Sequence, residues 1–119
     1  MATSGLVVTS FQGVTVVSFR NASILDMPVV QAIGEELFAL TDKLAQKKIL
    51  LDFDAVRFLS SQMIGTLIAL QKKSKGIGGR VILCGLKAEP LKVFKIMKLD
   101  KVLEFAADEH EGFKMLSAK

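Results

Sequence analysis

Apolar and polar positions alternate along this chain in two periods, and the switches between them mark out its elements. Leu6-Val7-Val8 and residues 14–19 (VTVVSF) are short β-branched runs. Gln12-Gly13 between them is a hairpin signal. From Asp26 the period lengthens to that of a helix, with Val30, Ile33, Leu37, Leu40 and Leu44 on one stripe and Glu35, Glu36, Asp42 and Lys43 mostly outside it. Asp26 and Pro28 suit the cap and first turn of that helix. Gln46-Lys47-Lys48 suits its end, where cations meet the negative pole of the dipole. Ile49, Leu50, Leu51 and Phe53 then form an apolar run of strand length, broken by Asp54.

A second helical pattern holds Met63, Ile64, Leu67, Ile68 and Gln71, beginning between Leu59 and Met63 and stopping at Lys75-Gly76-Ile77-Gly78-Gly79. Residues 80–84 (RVILC) are the next strand. Ala88-Glu89-Pro90 opens a third helix with Leu91, Phe94 and Met97 on its apolar side. Residues 102–105 (VLEF) are a short strand, and Asp108 caps a final helix that buries Phe113 and Leu116. Strands alternating with helices after a hairpin predict an α/β fold: one mixed sheet of four or five strands with four helices, and one domain over residues 1–119.

A length of 119 residues, 50% of them hydrophobic and 24% charged, suits one soluble domain with one core. No stretch has the apolar length of a membrane span, and the N-terminus is not patterned as a secretory signal. The one cysteine, Cys84, lies in an apolar strand and excludes an internal disulfide, so the expected compartment is the cytoplasm. With no apolar stripe left over, a monomer is expected.

The net charge of +4 is uneven. Residues 61–119 carry eleven basic and six acidic groups, with lysines clustered at 72, 73 and 75 and again at 92, 95, 98 and 101. A basic surface attracts nucleic acid or acidic partners. With no tyrosine or tryptophan, and with phenylalanines confined to apolar patterns, a stacking surface for single strands is not expected. The lysines read as solvated helix faces.

Catalytic constellations are missing. The single histidine, His110, lies in a polar stretch whose spacing with Asp108, Glu109 and Glu111 matches no defined metal site. Cys84 is too buried in pattern to be a nucleophile. The glycines of KGIGGR follow a helix, whereas a phosphate-cradling loop precedes one. Asp52 and Asp54 read as a strand end and its turn rather than a catalytic pair. No enzyme activity, cofactor or metal is expected.

The informative stretch is residues 50–71, LLDFDAVRFLSSQMIGTLIALQ, where Ser60 and Ser61 stand at the entrance of the second helix. A serine there caps an otherwise unpartnered N–H, and the positive end of the dipole favours an added negative group. This stretch, with GGRVILCGL and FKIMKLDKVLEF, resembles a STAS domain, specifically the single-domain bacterial anti-sigma factor antagonists.

What the resemblance implies is a phosphorylation switch. The unmodified protein binds a partner that is both a serine kinase and an anti-sigma factor; phosphorylation ends the binding and a phosphatase restores it. Ser61 matches the acceptor, with Ser60 the alternative. Asp26, Ser60, Ser61, Gln62 and Gly65 are the expected partner-binding residues. Ser60 stands where the family usually has an aspartate, and Gln62-Met63 where it has a small residue and glycine. These departures leave open a second role, as a STAS scaffold without a working switch in a stress-sensing or lipid-transport complex.

Overall fold

The structure is a computed structural model that describes residues 5–117. Seven strands and four helices run in the order β1 (Leu6–Phe11), β2 (Val14–Phe19), β3 (Ser23–Ile24), α1 (Met27–Asp42), β4 (Lys48–Asp52), β5 (Phe58–Leu59), α2 (Ser61–Gly76), β6 (Arg80–Cys84), α3 (Ala88–Ile96), β7 (Glu104–Ala106) and α4 (Glu109–Ser117), with a 3-10 turn, Leu99–Lys101, before β7.

Five strands make the main sheet in the order β1-β2-β4-β6-β7; β1 is antiparallel to β2 and the other pairings are parallel. From β2 onward each crossover steps in one direction across the sheet. Connections of a single hand then place every crossover helix on one face. The burial follows suit. Val17, Phe19, Ile49, Leu51 and Leu83 pack with Ile33 and Leu37 of α1, Leu67 of α2 and Phe94 of α3. The alternate side chains Val16, Leu50, Ile82, Cys84 and Ala106 form a smaller core under Leu116 of α4. This is the period of two expected of strands covered on both faces.

The expected helices and main sheet are present, and three details differ. First, α1 ends at Asp42, a turn before the lysines expected to close it. Gln46 N–H donates to Leu40 O at 2.8 Å and Ala45 takes a left-handed φ of +49°, because the chain must reverse to enter β4. Leu44 therefore falls outside the helix and is exposed. Second, Met97 caps α3 and is exposed rather than in the apolar stripe, while Val102 lies outside β7 and is also exposed. Third, β3 and β5, two residues each, pair in parallel apart from the main sheet.

Candidate functional site

The small β3–β5 sheet builds the site. Ser23 is in register with Phe58 and Ile24 with Leu59, and Ser60 N–H donates to Ile24 O at 2.9 Å. The chain leaves β3 into α1 two residues before Asp26 and leaves β5 directly into Ser60. The N-termini of α1 and α2 are thereby set side by side, and the two helices then pack along their length, with Gly34 of α1 against Thr66 of α2.

At the entrance of α2 the two serines differ. Ser60 is the N-cap, extended at φ −80° and ψ 161°, and its Oγ accepts the backbone N–H of Met63 at 3.1 Å. Ser61 is the first helical residue and is exposed. Its hydroxyl makes a long contact of 3.4 Å to Gln62 Oε1. No acidic residue lies in the first turn of α2. A negative group on Ser61 would therefore meet the positive pole of the helix without an opposing carboxylate in that turn.

Asp26 occupies the N-cap of α1, but its carboxylate makes no cap bond and points into solvent. Pro28 in the first turn accounts for part of this, since it has no N–H to cap. Gln62 is exposed beside Ser61, and Gly65 lies one turn further along the same open side, with no atom within 4 Å of where a Cβ would stand. Met63, by contrast, is fully buried and belongs to the core.

Exposed apolar side chains surround these termini: Leu25 at 54%, Met27 at 45% and Phe58 at 51% of full exposure. The sequence leaves no periodic apolar stripe uncovered, and these three side chains do not form one, but they are exposed apolar surface all the same. Each of the three belongs to or adjoins a short strand or helix start, where no periodic stripe reveals which way a side chain faces. A shallow cleft of about 330 Å³ beside Phe58 is lined by Arg57, Lys87, Ala88 and Glu89.

The remaining candidates fall where chemistry is quiet. Asp54 N–H donates to Asp52 Oδ1 at 3.0 Å, the turn expected of them. A carboxylate pair does form, but between Asp52 and Glu109 at the start of α4. The hydrogen bond to Asp52, with burial and like charge, raises the Glu109 carboxyl above its ordinary value. This pairing spans 57 positions of sequence and left no local signal. Burial, with those carboxylates, pushes the Cys84 thiol up to about 12, so it stays protonated. Among the described residues no group of three or more His, Cys, Asp or Glu side chains is placed to hold a metal, and no helix is long and apolar enough to cross a membrane.

The family model for the STAS domain matches residues 6–112, from β1 into α4. This chain belongs to the STAS-domain family. Solved structures agree on the fold. An anti-sigma-factor antagonist (STAS) domain protein from Planctomyces limnophilus is 26% identical, with a TM-score of 0.80 over 94% of this chain and 97% of its own. An anti-sigma factor antagonist from Mycobacterium paratuberculosis is 22% identical, with a TM-score of 0.81 over 95% and 93%. The Bacillus cell fate determinant SpoIIAA in its phosphorylated form is 20% identical, with a TM-score of 0.72 over 93% and 98%. The STAS domain described here thus shares its fold with these proteins. In it the serines stand at the end of the paired β3–β5 ribbon.

Proposed function

We propose that this STAS domain is an anti-sigma factor antagonist whose binding to a serine kinase, itself the anti-sigma factor, is ended by phosphorylation of Ser61. The observation that carries the reading is the division of labour at α2: the Ser60 hydroxyl is committed to Met63 N–H, while the Ser61 hydroxyl is exposed. The surface around it offers Leu25, Met27 and Phe58 for apolar contact, Asp26 and Gln62 for polar contact, and Gly65 as a low point that a partner backbone could approach closely.

The switch is electrostatic. A phosphate brings roughly −1.5 to −2 charges at neutral pH. In solution those charges are hydrated and favoured by the α2 N-terminus. Inside an interface they must be stripped of water, and the complex loses affinity. The protein supplies the acceptor and the surface, and catalysis belongs to the kinase and to an opposing phosphatase. On this reading the domain works in the cytoplasm, without nucleic acid or a cofactor.

Calorimetric titration with the cognate kinase tests the proposal. Ser61→Ala should bind as the wild type does and resist modification, and Ser61→Asp should lose binding while keeping its fold. Equal affinity for wild type and Ser61→Asp would remove the switch. Tandem mass spectrometry of the kinase-treated wild type, Ser60→Ala and Ser61→Ala should place the phosphate on Ser61. Absence of phosphate from all three would favour the scaffold role.

A further inference from the structure

The far edge of the main sheet is open. β7 is the last strand in the order β1-β2-β4-β6-β7, and among the described residues no strand pairs with its outer side. An open edge is a row of backbone donors and acceptors ready for another strand. Beside it runs a groove of about 680 Å³. Its lining takes in consecutive residues 103–107, hence side chains from both faces of the sheet, together with Leu91 and Lys95 of α3 and Met115 of α4. The groove is therefore a slot, with the strand edge as its floor, α3 as one wall and α4 as the other.

The walls are held in place. Arg80 on β6 donates from Nε and Nη2 to Glu104 on β7 at 2.6 to 3.0 Å, and from Nη1 to Met115 O on α4 at 2.9 Å. On the other side Phe105 packs edge-on against the buried Phe94 of α3, with centroids 5.4 Å apart. The slot is thus formed before anything enters it, which lowers the cost of ordering on binding.

Charge selects the occupant. Glu104 is neutralised by Arg80, so the groups left to act on a visitor are Lys95, Lys101 and Asp100, with Lys92 and Lys98 exposed on the same segment. The balance is cationic, while the floor and walls offer the half-buried Leu91, Phe105 and Met115. A second copy of this chain is a poor match, because its own β7 is walled by the same two helices and could not reach the floor of the slot.

We propose that this slot takes an extended segment of a partner polypeptide, apolar at its centre and acidic at its flanks, as a sixth strand added to β7. Main-chain hydrogen bonds would hold the segment, and alternate side chains would turn toward α3 and α4. No lining residue belongs to β5 or α2, so this surface is separate from the serine site and does not rest on its proposed switching.

The test is an NMR titration of the full-length ¹⁵N-labelled protein with a capped heptapeptide of three central valines flanked by glutamates. The amides of Glu104, Phe105 and Ala106 should shift, and those that face away from β6 should become protected from exchange. Replacing the flanking glutamates by lysines should weaken binding by about tenfold or more. The double variant Lys95→Glu with Lys101→Glu, at two exposed positions, should reverse that preference. Methylating alternate valine nitrogens of the peptide should abolish binding. The proposal is overturned if the β7 amides do not respond at millimolar peptide, if the N-methylated peptide binds equally well, or if the shifts fall on α2 and β5 instead. Concentration-dependent protection of β7 without peptide would assign the slot to a second copy and also overturn it.

Discussion

The Ser60 hydroxyl oxygen accepts the backbone N–H of Met63 at 3.1 Å, and this bond makes Ser61 the first residue of α2 instead of its cap. Two adjacent serines of the same chemistry are thereby given different work. Ser60→Ala should lower stability by about 1 kcal/mol, the usual cost of losing such a cap. Ser61→Ala should stay within about 0.5 kcal/mol of wild type, as for other exposed positions. Urea denaturation of the two variants checks the pair. A larger loss for Ser61→Ala would exchange their roles.

Gly65 should separate folding from recognition. No atom lies within 4 Å of a Cβ built there, so alanine meets nothing inside the protein. Within a helix, alanine in place of glycine should raise stability by about 0.5–1 kcal/mol. If a kinase packs closely on this side, the added methyl should weaken its binding despite the firmer fold. Thermal denaturation and calorimetry on Gly65→Ala read the two effects separately. Unchanged affinity would remove Gly65 from the interface.

Two carboxylates give stability opposite slopes with pH. Glu109 binds its proton more tightly in the folded protein, through its hydrogen bond to Asp52, burial and like charge. Its contribution is present below the ordinary value of 4.5 and is lost as pH rises through the raised folded value. Glu104 is held below its ordinary value by the hydrogen bond to Arg80, against a smaller opposing effect of burial. Its contribution is present above that ordinary value and lost as pH falls through the lowered one. Glu109→Gln should flatten the first slope and Glu104→Gln the second in thermal unfolding measured against pH. Both sites are partly exposed, so each slope should shrink in high salt.

Nucleic acid should bind only weakly and only at low salt. Lys73 is paired with Asp42 at 2.9 Å and lies over the Phe38 ring at 5.1 Å, and the other clustered lysines are divided between α2 (Lys72, Lys75) and the α3 segment (Lys92, Lys95, Lys98, Lys101). Binding that rests on phosphate contacts alone falls steeply with salt. Fluorescence anisotropy with a labelled oligonucleotide should show no complex at physiological salt, and a tight complex there would overturn this reading.

The sequence by itself determined the elements whose side chains repeat. Val30, Ile33, Leu37 and Leu40 on α1, Met63, Ile64 and Leu67 on α2, and the apolar runs of β4 and β6 are all buried as their periods require. The capping serine was legible too, because a cap is a bond between residues three apart. Only the tertiary structure decided what depends on distant partners. The β3–β5 pairing has two residues per strand, too few to show a period, and exists because Arg57 and Ser60 N–H groups reach Ala22 and Ile24 carbonyls. That pairing ties the strand that leads into α1 to the strand that leads into α2. Likewise Asp52 meets Glu109, and Arg80 meets Glu104 and Met115, across stretches that share no local pattern. Leu25, Met27 and Phe58 remain exposed because the fold closes its core without them. Periodicity reports which side of an element is apolar, whereas the assembled sheet decides which apolar side chains it covers and which edge it leaves open.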